Sequence, residues 1–169
     1  MGASGRLAWA ATVVDPRPGE RVLEVGCGHG VLVDLMAARG ADVVGVDRSA
    51  TMTAAAARRN ERAVADGRVR LVTGSLVEVA PEGPFDAVTA FDVRAFWTPP
   101  APEWDVVARV LAPDGRVVVA FSVMTDGHDL RVRDALERLA GARGLAVTAD
   151  HRSATTPYPS AAVQLSRVR

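Results

Sequence analysis

Short apolar runs alternate along the chain with longer segments whose apolar residues recur every three or four positions. The runs Arg21–Val25, Asp42–Val46, Val69–Thr73, Phe85–Phe91 and Arg116–Val123 predict five strands, the last being the most apolar. Helical patterns lie between them. Val31, Leu32, Leu35 and Met36 share one face of a helix that ends near Arg39, with Gly40 just past its end. Ser49 reads as the N-cap of a helix running through Ala54–Ala57 to about Ala65. Pro102 suits the start of a helix reaching about Leu111, and Pro113-Asp114-Gly115 reads as a turn. Val132, Ala135, Leu136 and Leu139 mark a long helix from about Asp129 to Arg143, stopped by Gly144. Two last strands, near Leu145–His151 and Ala161–Arg167, are joined by Thr155–Ser160.

Strand, helix, strand, helix predicts an α/β fold: a Rossmann-like, mostly parallel, seven-stranded sheet with helices on both faces. The last two strands are close in sequence, so they are expected to be an antiparallel pair at one edge. Right-handed crossovers put ligands at the carboxyl ends of the parallel strands. The loops after Val25, Val46, Thr73, Phe91 and Val123 should therefore share one rim, and the chemistry should lie there.

The length of 169 residues fits a single domain over 1–169, with 1–20 as a short N-terminal helical segment. Leu7–Val14 is too short to span a membrane and lacks a small-residue cleavage pattern. Met1-Gly2 begins like a myristoylation site, but Arg6 stands where Ser or Thr is required. Formal net charge is zero, which removes the electrostatic argument for nucleic acid or an anionic membrane as partner. All 20 basic residues are arginine, so lysine-based covalent chemistry is excluded within the chain. Cys27 is the only cysteine, which rules out an intrachain disulfide and a cysteine zinc cluster and fits a reducing, cytoplasmic compartment. No His/Asp/Glu spacing suggests a metal site.

The strongest local signal is Val22-Leu23-Glu24-Val25-Gly26-Cys27-Gly28-His29-Gly30. A strand runs into three glycines at alternate positions, and a helix starts at once. Such a turn lets a ligand approach the backbone and meet the helix's free amides. A dinucleotide loop would need its third glycine at position 31, which is Val31, and no Gly-Lys-Ser/Thr phosphate loop exists.

These residues resemble the first motif of the class I S-adenosylmethionine-dependent methyltransferases. Further matches follow in that family's order: Val43-Val44-Gly45-Val46-Asp47-Arg48-Ser49 with Met52, then Phe85-Asp86-Ala87-Val88, then Val110-Leu111-Ala112-Pro113-Asp114-Gly115-Arg116-Val117-Val118-Val119. The resemblance runs from about Arg21 to Phe121 and implies S-adenosyl-L-methionine as cofactor. It places Glu24 and the backbone of Gly26, Cys27 and Gly28 around the methionine part, with Glu24 facing the ammonium group. It assigns the ribose hydroxyls to Asp47, whose ionised carboxylate has two acceptor oxygens. Arg48 and Met52 should border the adenine. Ser75, where the family often has an aspartate, would accept from the adenine amino group, with Leu76 packing on the ring.

The loop Phe91-Asp92-Val93-Arg94-Ala95-Phe96-Trp97 corresponds to the one that passes close to the reacting methyl in similar enzymes. Phe91 is expected at the cofactor, Asp92 as a candidate base, Arg94 as a carboxylate holder, and Phe96 and Trp97 as an apolar wall. Asp92 bonding only backbone, and the aromatics packing beneath the loop, are the alternatives. His128, after the fifth strand, is the second candidate base. His29 is expected to face solvent, His151 to be structural or exposed, and Arg58, Arg59 and Arg62 to form a solvated helix face.

The implied reaction is in-line transfer of a methyl group to a small-molecule acceptor. The substrate side is expected to be open or completed by a second subunit in a homodimer. Two other classes remain: a non-catalytic cofactor-binding or interaction module with the same sheet, and a nucleotide-dependent oxidoreductase.

Overall fold

A computed structural model describes residues 4–168. The myristoylation-like Met1-Gly2 therefore lies outside the described residues. Helix Gly5–Val14 (α1) leads into strand Arg21–Val25 (β1), helix Val31–Ala37 (α2), strand Asp42–Asp47 (β2) and helices Ala50–Arg59 (α3) and Glu61–Ala65 (α4). Strand Val69–Thr73 (β3), helix Leu76–Val79 (α5), strand Phe85–Phe91 (β4) and a single 3₁₀ turn, Arg94–Phe96, follow. The chain then forms helix Glu103–Val110 (α6), strand Leu111–Ser122 (β5), helix His128–Gly141 (α7) and strands Leu145–Ser153 (β6) and Ser160–Arg167 (β7).

One seven-stranded sheet has the order β3-β2-β1-β4-β5-β7-β6. The first five strands in that order are parallel, and β7 runs antiparallel to both β5 and β6. This is the expected architecture, with the antiparallel pair at the β6 edge. Strand alternation assigns side chains to two cores. Leu23, Val25, Val88, Val117 and Phe121 pack with Trp104 and Val107 of α6 and Leu136 of α7. Val22, Val43, Ala87 and Val118 pack on the other face with Ala10 and Val14 of α1 and Leu32 and Met36 of α2.

Two local expectations change and one element is added. The helix after Ser49 breaks at Asn60, whose amide is buried and donates to the carbonyls of Ala56 and Gly30. Pro113-Asp114-Gly115 is no simple turn but a bulge within β5: Phe85 pairs with Leu111, and the ladder resumes only at Ala87 with Arg116. The segment after β3 holds a short helix, α5, closed by a reciprocal Ser75–Glu78 capping box. No helix among the described residues is long and apolar enough to cross a membrane.

Candidate functional site

The ends of β1, β2, β3 and β4 converge on one cleft of about 480 Å³, within the range of small-molecule sites. Its walls are Val25 and Gly26 after β1, Val46, Asp47 and Arg48 after β2, Gly74, Ser75 and Leu76 after β3, and Phe91–Ala95 after β4, with Glu103 from α6. A larger hollow of about 760 Å³ runs along the face of β1–β3, from Gly74 down to Arg21 and Phe85. The smaller cleft is the candidate site because it joins the glycine turn, Asp47 and the loop after β4, as the strand-end rule requires.

Gly26 has φ of 72°, the left-handed region that favours glycine. A Cβ there would lie 2.5 Å from Cγ2 of Val93, so the loop after β4 sits directly against the turn after β1. The third glycine works differently. A Cβ on Gly30 would come within 2.7 Å of both Ala56 and Asn60, so its role is to seat α2 against α3.

Asp47 ends β2 on the cleft wall. Oδ2 accepts the Gly28 N–H at 2.9 Å, and Oδ1 accepts the Ser49 N–H at 2.9 Å. Each oxygen keeps a lone pair for a further donor. Gly28, expected to offer its amide to a ligand, thus spends it on fixing this carboxylate. Ser49 Oγ in turn accepts the Met52 N–H, which starts α3 beside the cleft.

Glu24, Cys27, Gly28 and Met52 do not line the cleft. Glu24 shares the sheet face of Val22 and lies beneath α2, 3% exposed, with Oε2 lacking a partner. Burial, and then the charge of Asp47, push its carboxyl well above the usual range, with the Val33 amide offsetting in part. Cys27 is buried in the α2-side core, where burial, Glu24 and Asp47 push its thiol up to about 12. It is therefore an inert packing group, and only its backbone borders the turn.

Ser75 lines the cleft, but its hydroxyl belongs to the capping box: it donates to Glu78 Oε2 at 2.7 Å and accepts the Glu78 N–H at 3.2 Å. Leu76, Phe91 and Arg48 are on the wall of the cleft.

Asp92 has φ of 57° and both carboxylate oxygens engaged. They accept from the Ser122 N–H at 2.7 Å and the Ser122 hydroxyl at 2.8 Å, and Arg6 of α1 pairs with Oδ2 at 3.5 Å. Arg6 also donates to Ser122 Oγ and lies over the Phe91 ring. The carboxylate thus ties β4 to β5 and α1, which is a positioning role.

Phe96 is fully buried, edge-on to Trp104, whose indole N–H donates to the Phe96 carbonyl at 2.9 Å; it packs beneath the loop and forms no pocket wall. Trp97 and His128 flank Phe121, with ring centroids 5.7 and 6.0 Å from it. Neither lines the cleft. His29 is exposed, and its carbonyl accepts from Arg59. His151 is half-buried on β6, with Nε2 unpartnered. Among the described residues, no three His, Cys, Asp or Glu side chains gather as metal ligands. Two site residues escaped the sequence reading, Arg6 and Glu103. Neither sits in a motif, and each reaches the rim only through the packing of its helix.

The methyltransferase-domain family matches residues 22–115, more than half of the chain. The chain is 42% identical over 113 residues to a nocamycin O-methyltransferase of Saccharothrix syringae, covering 62% of this chain and 39% of that protein. It is 33% identical over 113 residues to a ubiquinone biosynthesis O-methyltransferase of Alkalilimnicola ehrlichii, covering 67% and 46%. The aligned part thus spans less than half the length of these relatives. A TehB-like SAM-dependent methyltransferase from Corynebacterium glutamicum has the same fold, with a TM-score of 0.75 at 21% identity, covering 99% of this chain and 90% of that one. Fold, motif order and family match agree: the chain belongs to the methyltransferase-domain family.

Proposed function

We propose that the protein is an S-adenosylmethionine-dependent methyltransferase acting on a small-molecule acceptor. The observation that carries this reading is the placement of Asp47: it stands between Gly26 and Ser75-Leu76 on one cleft wall, with lone pairs left on both oxygens. A nucleoside diol is the ligand group that such a carboxylate fits best.

The chain also passes a test of fit. The turn at Gly26 carries no side chain, and the space beside Gly28 is open. Acceptor capacity is available at Asp47. When bound, the cofactor supplies the chemistry, an electrophilic methyl group on a sulfonium. The protein's own work is orientation and exclusion of water. Asp47 fixes the sugar, its carboxylate pre-set by the Gly28 and Ser49 amides. Leu76, Phe91 and Val93 give the cleft its apolar surface. Asp92 holds the loop after β4 in place from Ser122 and Arg6, and no proton transfer is assigned to it. A nucleophile that arrives deprotonated needs no base.

The small-molecule acceptor is supported by the zero net charge and by relatives named for nocamycin and ubiquinone biosynthesis. The proposal extends to the cytoplasm, where a lone buried thiol is at home. It also extends to a homodimer that closes the rim, which equilibrium sedimentation tests. For the activity itself, methyl transfer is followed across a panel of hydroxylated, amine and thiol acceptors. Turnover with release of S-adenosylhomocysteine supports the proposal. Cofactor binding without turnover on any acceptor favours a binding module instead.

A further inference from the structure

Beside the cleft lies a second hollow of about 360 Å³, lined by Ala95, Thr98, Pro100, Ala101 and Pro102. Arg94, Ala95 and Glu103 line both spaces, so the two meet at the connection between β4 and α6. That connection is held in a set shape. Asp92 at its start and Ala101 near its end have φ of 57° and 50°, the left-handed region that is costly for a residue with a side chain. Such strain persists only where the surroundings over-determine it, and it gathers at ligand sites. Here Asp92 is pinned by Ser122, while Ala101 is buried and its carbonyl accepts the Trp104 N–H at 3.2 Å. Between them Phe96 is buried, and its carbonyl takes the Trp104 indole N–H.

Arg94 stands on this mount with an uncommitted charge. Among the described residues its guanidinium has no hydrogen bond, ion pair or ring partner. The neighbouring charges are engaged. Asp92 is held by Ser122 and Arg6, Asp47 by Gly28 and Ser49, and Arg48 lies near the Glu78 carboxylate. Glu103 turns one oxygen into the protein at the start of α6, where the helix dipole favours it, and makes no ion pair with Arg94. The strand order sets which ligand Arg94 meets. The proposed nucleoside occupies the rim over β3, β2 and β1, and Arg94 follows β4, across β1 from Asp47. It therefore lies past the amino-acid end of the cofactor, on the side left free for an acceptor.

We infer that the acceptor is an organic acid, its carboxylate held by Arg94 and its apolar body received by Ala95 and the prolines of the second hollow. A separate nucleophile of the same molecule faces the methyl group. The planar guanidinium fork matches a carboxylate with two parallel hydrogen bonds. One free guanidinium balances one negative charge, which suits a carboxylate better than a phosphate dianion. This deepens the methyltransferase reading above and rests on it. Arg94 is thereby the residue that selects an acidic acceptor over its neutral counterpart.

The test is ligand-observed NMR titration of the protein saturated with S-adenosylhomocysteine. The probes are hydroxylated benzoates, phenylacetates and cinnamates, each beside its neutral amide. The wild type should bind at least one acid about 3- to 10-fold more tightly than its amide, a charge-assisted pair discounted for the exposure of Arg94. Arg94→Gln should bring that pair to within about 2-fold of each other. Arg94→Lys keeps the charge without the fork and should fall between. Both variants should bind S-adenosylhomocysteine as the wild type does. A wild type that prefers no acid over its amide, or an Arg94→Gln variant that keeps the preference, would overturn the assignment. So would a parallel loss of S-adenosylhomocysteine affinity in Arg94→Gln, which would put the guanidinium on the cofactor's own carboxylate. Each of these results leaves the methyltransferase reading standing. A wild type that fails to bind S-adenosylhomocysteine at all would sink both.

Discussion

Asp47 is the residue on which the proposed cofactor binding turns, and Asp47→Ala separates its two jobs. In the free protein it accepts two backbone N–H groups, from Gly28 and Ser49, each at 2.9 Å. Fully buried charged hydrogen bonds contribute about 1.5–3 kcal/mol each. Asp47, Gly28 and Ser49 are only half-buried, so water recovers much of that on truncation. A stability loss of about 1–2 kcal/mol for the pair is expected. At this chain length it lowers the thermal midpoint by about 2–8 °C. In the proposed complex the same carboxylate would also hold the ribose, and losing those bonds should weaken binding by about 1.5–3 kcal/mol, or about 10- to 150-fold. The assay is calorimetry with S-adenosylhomocysteine and its 2′-deoxy analogue, alongside a thermal melt. The wild type should prefer the ribose form, and Asp47→Ala should bind both forms alike. An unchanged dissociation constant in a folded variant would refute the ribose assignment.

Other perturbations read different parts of the account. Glu24 has a raised folded-state pKa, so the native chain holds a proton that the unfolded chain releases above the ordinary value of 4.5. Its contribution is full below that value and is lost as pH rises toward the folded pKa, so Glu24→Gln should gain stability relative to wild type as the pH is raised above 4.5. Melts that stay parallel across that window contradict the burial argument. Arg116 donates to the carbonyls of Val14 and Asp15 and to both oxygens of Glu20, so Arg116→Met should cost about 2–3 kcal/mol in a urea melt. Glu20 is held below its usual range chiefly by Arg116, so that stabilisation is present at neutral pH and fades as acid protonates Glu20. The difference between wild type and Arg116→Met should narrow accordingly. Asp92→Asn should lower stability by about 1–2 kcal/mol yet reduce kcat less than about 10-fold. A loss of 100-fold or more in a folded variant would make it a base after all.

The sheet was readable because its strands are apolar runs bounded by turn residues, and β1, β3 and β4 begin and end where the pattern says. The place of Asp47 at the strand-end rim was readable too, since it directly follows an apolar run, whereas its proposed ribose role comes from the family resemblance alone. What escaped depends on partners distant in sequence. Asn60 breaks a helical pattern through a bond to Gly30, 30 residues away. Asp92 takes its positioning role from Ser122 and from Arg6 at the far end of the chain. Phe96 turns inward because the Trp104 indole N–H donates to its carbonyl and the two rings meet edge to face. Helix α5 did leave a local signature, since Ser75-Leu76-Val77-Glu78 is a capping-box sequence. Glu103 left none: an acid in a helix's first turn reads as ordinary dipole complementation.

The rim above β1, β2 and β3 is the proposed seat of S-adenosylmethionine. Titrating the wild-type protein with that compound and, separately, with NADH decides it. The account predicts one-to-one binding of S-adenosylmethionine with a dissociation constant of about 1–100 μM, the concentration scale at which enzymes work. No heat with S-adenosylmethionine, or tighter binding of NADH, would contradict it.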